Sequence, residues 1–203
     1  MSRRAPDTQR VFDLVAAAVG LVASSPLWLG AAIGVRLGSP GPVFHRAVRV
    51  GRDGVPFTLY KFRSMHTGAH AKGPGITVAG DARITRIGRV LRRSKLDELP
   101  QLLNVVKGEM SIVGPRPEDG RYVDRYTLGQ REILRWRPGI TSPASVLFRD
   151  EEAVLARIGG DLDAAYVAHM ADKIDVDLRY FRERSVRGDL RIVVQTVSAI
   201  VRP

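Results

Sequence analysis

The amino-acid sequence predicts a helix-rich α/β (α+β) fold in two parts: a membrane segment over residues 1–37 and one compact domain over residues 38–203. Three observations carry this expectation. One long apolar run stands near the N-terminus, two short strand-like runs flank a glycine-containing turn, and farther on apolar residues recur three and four apart. At 203 residues, 44% of them hydrophobic, the chain has enough apolar surface for one packed core, which excludes wholesale disorder.

The apolar run Val11–Leu37, "VFDLVAAAVGLVASSPLWLGAAIGVRL", carries only Asp13 and Arg36 as charges. A basic start followed by apolar residues resembles a secretory signal, but this run is too long and offers no clean small-residue cleavage site. A bilayer-crossing helix is a second reading, because about 20 apolar residues suffice. A buried helix of a soluble domain is a third. Ser25-Pro26 weighs against a straight crossing. Proline removes a backbone donor and crowds the preceding turn, which breaks a helix, while Ser24 and Ser25 can bond the freed carbonyls. Halves 11–25 and 26–37 would each measure about 18–22 Å, short of the roughly 30 Å hydrocarbon core. Arg3, Arg4 and Arg10 precede the run, and Arg36, Arg46, Arg49 and Arg52 follow it, which favours both ends on the cytoplasmic face. A re-entrant helix broken at Ser25-Pro26, dipping into one leaflet of membrane lipid, satisfies both observations and makes the protein monotopic.

Ser39-Pro-Gly-Pro42 is a turn cluster that ends the segment. The runs "VFHRAVRVG" and "FTLYKFRSM", joined through "GRDGVP", read as a small β-hairpin. Residues 66–80 are rich in glycine and small residues and read as a mobile loop. Asp81 is placed to cap a helix running to about Arg93, with Ile84, Ile87 and Leu91 on one face and Arg83, Arg86, Arg89 and Arg93 opposite. A second helix is expected from Glu98 or Leu99 to Lys107, with Pro100 in its first turn and a stop at Gly108. From Tyr122 onward short helical stretches alternate with loops. Residues 176–201 mix basic and apolar side chains, a pattern that suits a core helix and a membrane surface equally well.

Lysine and arginine number 32 against 21 aspartates and glutamates, a net charge of +11. That excess points to phosphate-bearing partners: nucleic acid, nucleotides or an anionic lipid surface. Aromatic residues make up only 6%, and no basic patch is interleaved with them, which argues against nucleic acid. The absence of cysteine excludes disulfides and thiolate metal sites. His45, His66, His70 and His169 show no ligand spacing.

Two carboxylates, Asp97 and Glu98, stand together in "SKLDELPQLLN" at a helix entry, where acidic residues are favourable on dipole and capping grounds alone. Their company suggests more. Lys61 and Arg63 lie in "YKFRSM", Arg92 and Arg93 come just before the pair, and Arg116 in "GPRP" is stiffened by a proline on each side. Arg137 in "RWRPGIT" is a further rigid basic position. A fixed guanidinium suits bidentate phosphate recognition. Carboxylates beside phosphates call for a hard cation such as Mg²⁺, and an aspartate can itself attack phosphorus. Taken together these features point to phosphoryl or phosphosugar transfer at a bilayer surface.

The runs "GSPGPVFHRAVRVGRDGVPFTLYKFRSM", "ITRIGRVLRRSKLDELPQLLNVVKGEMSIVGPRPE" and "RWRPGIT", with Ser25-Pro26 and Asp189 in "RGDLRIVVQT", resemble the bacterial sugar transferases over nearly the whole chain. These are monotopic polyprenyl-phosphate phosphoglycosyl transferases. The resemblance implies a ping-pong reaction in which Asp97 attacks the β-phosphate of a UDP-sugar and UMP leaves. Polyprenyl (undecaprenyl) phosphate then takes the phosphosugar, initiating glycoconjugate assembly. It further implies that Glu98 helps hold Mg²⁺ and that Lys61, Arg92 and Arg116 sit near substrate phosphate; Asp97 is taken as a second metal ligand, and Arg63, Arg137 and Arg149 as further phosphate-binding residues. The implied location is the cytoplasmic face of the bacterial inner membrane. After "RPGIT" the chain departs from the commonest pattern, reading "SPASVLFRDEEAVLA" where relatives carry a Gly-rich stretch, and Arg149 is taken to hold the equivalent arginine position. The chain resembles the short form, without extra N-terminal transmembrane helices. The alternative is a membrane-tethered basic module for anionic lipid or nucleic acid, whose binding would fall steeply with salt and strengthen on neutralising Asp97.

Overall fold

A computed structural model describes residues 8–69, 76–158 and 161–201, so part of the loop expected over 66–80 lies outside the described residues. Helix α1 (Thr8–Gly38) leads into the antiparallel hairpin β1 (Phe44–Val50) and β2 (Pro56–Phe62), in register from Phe44 opposite Phe62 to Val50 opposite Pro56. The expected hairpin is present, with its second strand ending at Phe62 rather than Met65. Helices α2 (Arg86–Arg93) and α3 (Gln101–Lys107) follow, then β3 (Ser111–Val113), α4 (Gly120–Val123) and β4 (Gly139–Thr141). The chain closes through α5 (Pro143–Leu147), α6 (Glu151–Arg157) and the longer α7 (Leu162–Arg182) and α8 (Val186–Val201).

Helix α1 differs from expectation at Ser25-Pro26, where it continues as one helix of 31 residues with Pro26 inside. The reason is local. Proline deletes one donor, whose partner would have been the Val22 carbonyl four residues back. Ser25 Oγ donates to that carbonyl at 2.8 Å, and Ser24 Oγ donates to Gly20 O at 2.6 Å while accepting from Trp28 Nε1 at 3.1 Å. The serines supply what the proline removes.

One stripe of α1, from Asp13 through Ala17, Ser24 and Ala31 to Val35, is buried against the domain. Arg10 donates to the Val105 and Val106 carbonyls at 2.7 and 3.0 Å, tying the N-terminal end to α3. Trp28 packs edge-on against Phe62, in a cluster with Ala31, Val35 and Leu91. The other face exposes Val15, Val19, Val22, Leu29 and Leu37. The helix is long and apolar enough to cross a membrane, and only 17% of its most apolar window is covered by protein. A contiguous apolar face of this kind calls for a non-aqueous partner.

The main core gathers Leu59 of β2, Leu102 and Val105 of α3, Ile112 and Val113 of β3, and Ile174, Leu178 and Phe181 of α7. Residues 174, 178 and 181 keep the helical spacing that puts one face of α7 inward. A buried polar knot fastens α1 to this core. Asp13 accepts from Ser111 Oγ at 2.8 Å and from Ile112 N at 2.8 Å, and Arg184 Nη2 donates to Ser111 Oγ, the Val113 carbonyl and Asp189 at 2.8–2.9 Å.

Three expected boundaries shift for identifiable reasons. Helix α2 starts at Arg86 because Thr85 caps it, accepting from Gly88 N at 2.9 Å, whereas Asp81 is held by the Arg83 guanidinium at 3.0 Å. Asp97 and Glu98 lie in a short 3-10 turn (Leu96–Glu98), and Pro100 is the residue preceding α3 rather than part of its first turn. Gly108 ends α3 in the left-handed conformation (φ 86°), as the sequence suggests.

The parallel pairing of β3 with β4 is not legible in the sequence. Gly114 N donates to Thr141 O and Gly139 N to Pro115 O, both at 2.9 Å. The two backbones run so close that a Cβ on either glycine would overlap the other segment. This contact sets "GPRP" beside "RPGIT".

Candidate active site

The hairpin, the turn after α2 and the loop after β3 converge on a cavity of about 1380 Å³. Each contributes a charged side chain: Lys61 from β2, Asp97 and Glu98 from the turn, Arg116 from the loop. Asn104, fully buried on α3, fixes the first of these relative to the second. Its Oδ1 accepts from Tyr60 N at 3.2 Å, and its Nδ2 donates to Thr58 O and to Glu109 Oε2, both at 2.7 Å. Strand β2 and the helix behind the dyad are therefore locked together one residue from Lys61.

The two carboxylates have different surroundings. Glu98 is paired: Lys61 Nζ lies 2.8 Å from its Oε1 and Arg116 Nη1 lies 3.8 Å from the same oxygen. Asp97 is only 4% exposed, and its Oδ1 has no hydrogen-bond partner among the described residues. Burial pushes the Asp97 carboxyl up to about 6, helped by the Glu98 charge and opposed by Lys61, Arg92 and Lys95. Burial acts on Glu98 as well, but Lys61, Arg116 and Lys95 outweigh it and hold that carboxyl well below the ordinary range. At neutral pH Glu98 is a fixed anion. Asp97 is an ionised carboxylate of raised basicity, with an oxygen that nothing in the fold uses.

The six basic residues expected to bind phosphate divide by position. Lys61, Arg92 and Arg116 line the cavity together with the dyad. The Arg116 side chain is 40% accessible, and its guanidinium is held firmly charged: burial works against the charge, and Glu98, Glu118 and Glu151 more than offset it. Arg92 pairs with Glu152 of α6. Arg149 stands at the cavity edge, half exposed, 3.6 Å from Asp150. Arg63 borders the cavity but is buried, and its guanidinium donates to the carbonyls of Ser39 at 2.8 Å and of Pro40, closing the end of α1. Arg137 lies off the cavity wall and donates through Nε to Gly108 O at 3.0 Å, where it caps α3. Both hold carbonyls at helix C-termini, a structural use of a cation.

The bacterial sugar transferase family model matches residues 4–203. This chain belongs to the bacterial sugar transferase family. It is 39% identical over 198 residues to a UDP-glucose:undecaprenyl-phosphate glucose-1-phosphate transferase of Caulobacter vibrioides, covering 95% of this chain and 69% of that protein. It is 37% identical over 199 residues to a UDP-N-acetylgalactosamine-undecaprenyl-phosphate N-acetylgalactosaminephosphotransferase of Aeromonas hydrophila, covering 95% of this chain and 43% of that protein. It is 34% identical over 211 residues to the exopolysaccharide production protein ExoY of Rhizobium meliloti, covering 95% of this chain and 84% of that one. The chain thus spans less than half of the Aeromonas relative and most of the other two.

In this bacterial sugar transferase the divergent stretch after "RPGIT" forms α5 and nearly all of α6 and contributes to the cavity wall. Two acidic residues there line the cavity and pair with basic residues, contacts that sequence reasoning missed. Glu152 occupies Arg92, and Glu151 pairs with the buried Lys173 of α7 at 3.0 Å. Only the fold shows that Glu152 meets a cation sixty residues away and Glu151 one twenty-two residues away.

Among the described residues no set of three His, Cys, Asp or Glu side chains is gathered as a metal cage. Asp97 and Glu98 are neighbouring carboxylates at the cavity, and Asp97 has an unused oxygen. That donor set fits Mg²⁺, which commonly takes one or two carboxylates and completes its shell with substrate phosphates and water.

Proposed function

We propose that this bacterial sugar transferase moves a sugar 1-phosphate from a UDP-sugar to polyprenyl phosphate through a covalent intermediate on Asp97. A carboxylate oxygen of Asp97 attacks the β-phosphorus of the donor. The bond between that phosphorus and the bridging oxygen breaks, and UMP leaves with the electron pair. A phosphate oxygen of the polyprenyl acceptor then attacks the same phosphorus, and Asp97 departs as a carboxylate. The product is a sugar joined to polyprenol through a diphosphate, the starting unit for polysaccharide assembly.

The observation that carries this reading is the unpartnered, buried Asp97 oxygen on the wall of a cavity whose basic lining includes Lys61, Arg92 and Arg116. A carboxylate kept free of hydrogen bonds retains its lone pairs for phosphorus, and the raised proton affinity makes it a stronger nucleophile than an exposed aspartate. Lys61 and Arg116 orient Glu98 and offer remaining donors to phosphate oxygens. Asp97 and Glu98 would hold Mg²⁺, which when bound screens the diphosphate from the carboxylates. The names of the Caulobacter and Aeromonas relatives, sugar-phosphate transferases acting on undecaprenyl phosphate, support the overall transfer.

The protein sits on one leaflet, at the cytoplasmic face of the bacterial inner membrane. Helix α1 packs against the domain from Asp13 to Val35, so its middle cannot enter the bilayer centre without drawing the polar domain in with it. A shallow, monotopic insertion exposes the apolar face to lipid and keeps the cavity in water.

Intact-mass measurement after mixing the purified protein with a panel of UDP-sugars and Mg²⁺, without acceptor, tests the reaction. A phosphosugar mass gain on wild type that is absent from Asp97→Asn is the expected result. Undiminished lipid-linked product from Asp97→Asn overturns the proposal.

A further inference from the structure

Lys95 adopts the left-handed backbone conformation, φ 57° and ψ 12°. Among the described residues only Asp53 is the other non-glycine at positive φ. Asp53 lies in the β-hairpin turn, where aspartate tolerates that conformation through its short polar side chain. Lysine has no such compensation, and glycine would fit without strain. Lys95 stands between the end of α2 and the turn that carries Asp97 and Glu98, so a strained lysine is placed at the entrance to the dyad.

Its side chain is exposed and lines the same cavity as the dyad. Lys61 and Arg116 face Glu98, and Arg92 is taken by Glu152. Each of those cations already has an anionic neighbour in the fold. The Lys95 ammonium makes no hydrogen bond or ion pair with the described residues, yet it lies close enough to act electrostatically on both Asp97 and Glu98. A diphosphate brought against an anionic Glu98 and an ionised Asp97 needs positive charge that the fold has not already used.

We propose that Lys95 is a phosphate-binding residue of the donor site, its ammonium engaging nonbridging oxygens of the diphosphate as the β-phosphorus approaches Asp97. This rests on the reading above that the cavity receives a nucleoside diphosphate sugar. The backbone strain is retained because it aims an unpaired cation at the reacting group, a position that glycine would leave uncharged.

The test uses the full chain in detergent with Lys95→Gly, Lys95→Gln and Lys95→Arg. The dissociation constant for inorganic pyrophosphate in Mg²⁺ buffer is measured by calorimetry. The expected result is at least tenfold weaker binding for the Gly and Gln variants and binding within threefold of wild type for Arg. Lys95→Gly should melt at or above the wild-type temperature, because the left-handed position is then unstrained, which separates loss of ligand from loss of fold. In UMP-release kinetics the Gly and Gln variants should lose tenfold in kcat/KM, mainly through KM. Pyrophosphate binding that changes by less than threefold in Gly and Gln overturns the inference, whatever the kinetics show. A wild-type protein that binds pyrophosphate through Lys95 but releases UMP from no UDP-sugar refutes the transferase reading and leaves the binding site supported.

Discussion

Replacing Asp97 by asparagine should abolish turnover and, at the same time, make the protein more stable at neutral pH. The magnitude follows from burial. An ordinary aspartate ionises near 3.8, and burial moves Asp97 to about 6. A carboxyl whose folded value is raised favours the folded state while it is protonated, and that advantage is lost as pH climbs through the folded value. Above pH 6 the buried anion therefore costs about 3 kcal/mol relative to a neutral side chain of the same shape. For a chain of this size that corresponds to a rise in melting temperature of about 6–12 °C for the variant at pH 8. Below pH 4 both side chains are neutral in the folded state and the gain should vanish. Scanning fluorimetry of wild type and Asp97→Asn in detergent with chelator, at half-unit steps from pH 4 to 8, measures the difference directly. A variant that melts with wild type at pH 8, or gains as much at pH 4 as at pH 8, refutes the idea that a buried, unpartnered carboxylate is held there against its own solvation.

In the proposed reaction the same group sets the pH dependence of the first half-reaction. UMP release at saturating donor should rise tenfold per pH unit below about 6 and level off above it, because only the ionised Asp97 attacks; a flat profile from pH 5 to 7 in rapid-quench measurements contradicts this. Asn104→Ala strips the fully buried partner of Tyr60 N and Thr58 O and should cost about 2–4 kcal/mol in denaturant unfolding, with UMP release falling as Lys61 loses its anchor. Asp13→Ala leaves Ser111, Ile112 N and the Arg184 knot short of an anion and should cost about 3–5 kcal/mol. Limited proteolysis should then cut α1 before the domain, and an unchanged cleavage pattern would count against the knot as its fastening.

Much of the site was legible because its residues lie close in sequence or beside strong local signals. The Asp-Glu pair before a proline, the arginine between two prolines and the hairpin carrying Lys61 all come together at one cavity. Arg63 and Arg137 show where sequence reasoning stops. Both sit in runs that resemble phosphate clamps, but their guanidinium groups close helix ends through carbonyls whose positions depend on long-range packing. Glu151 and Glu152 show the converse, since nothing about them in isolation announces that they neutralise Lys173 and Arg92. The proline in α1 is a milder case. The sequence contained both the breaking residue and the serines that compensate it, and the hydrogen bonds decided in favour of continuity.

By itself the sequence determined the apolar helix, the hairpin, the stop at Gly108 and the two neighbouring carboxylates, because each depends on side-chain type and short-range spacing. The tertiary structure alone decided the β3–β4 contact, the Asp13–Ser111–Arg184 knot and which charges around the dyad are already spent. The physical reason is that desolvation and ion pairing depend on what surrounds a group in space. Asp97 and Glu98 are chemical neighbours with nearly the same side chain, and only their different surroundings hold Glu98 as a fixed anion and raise the proton affinity of Asp97.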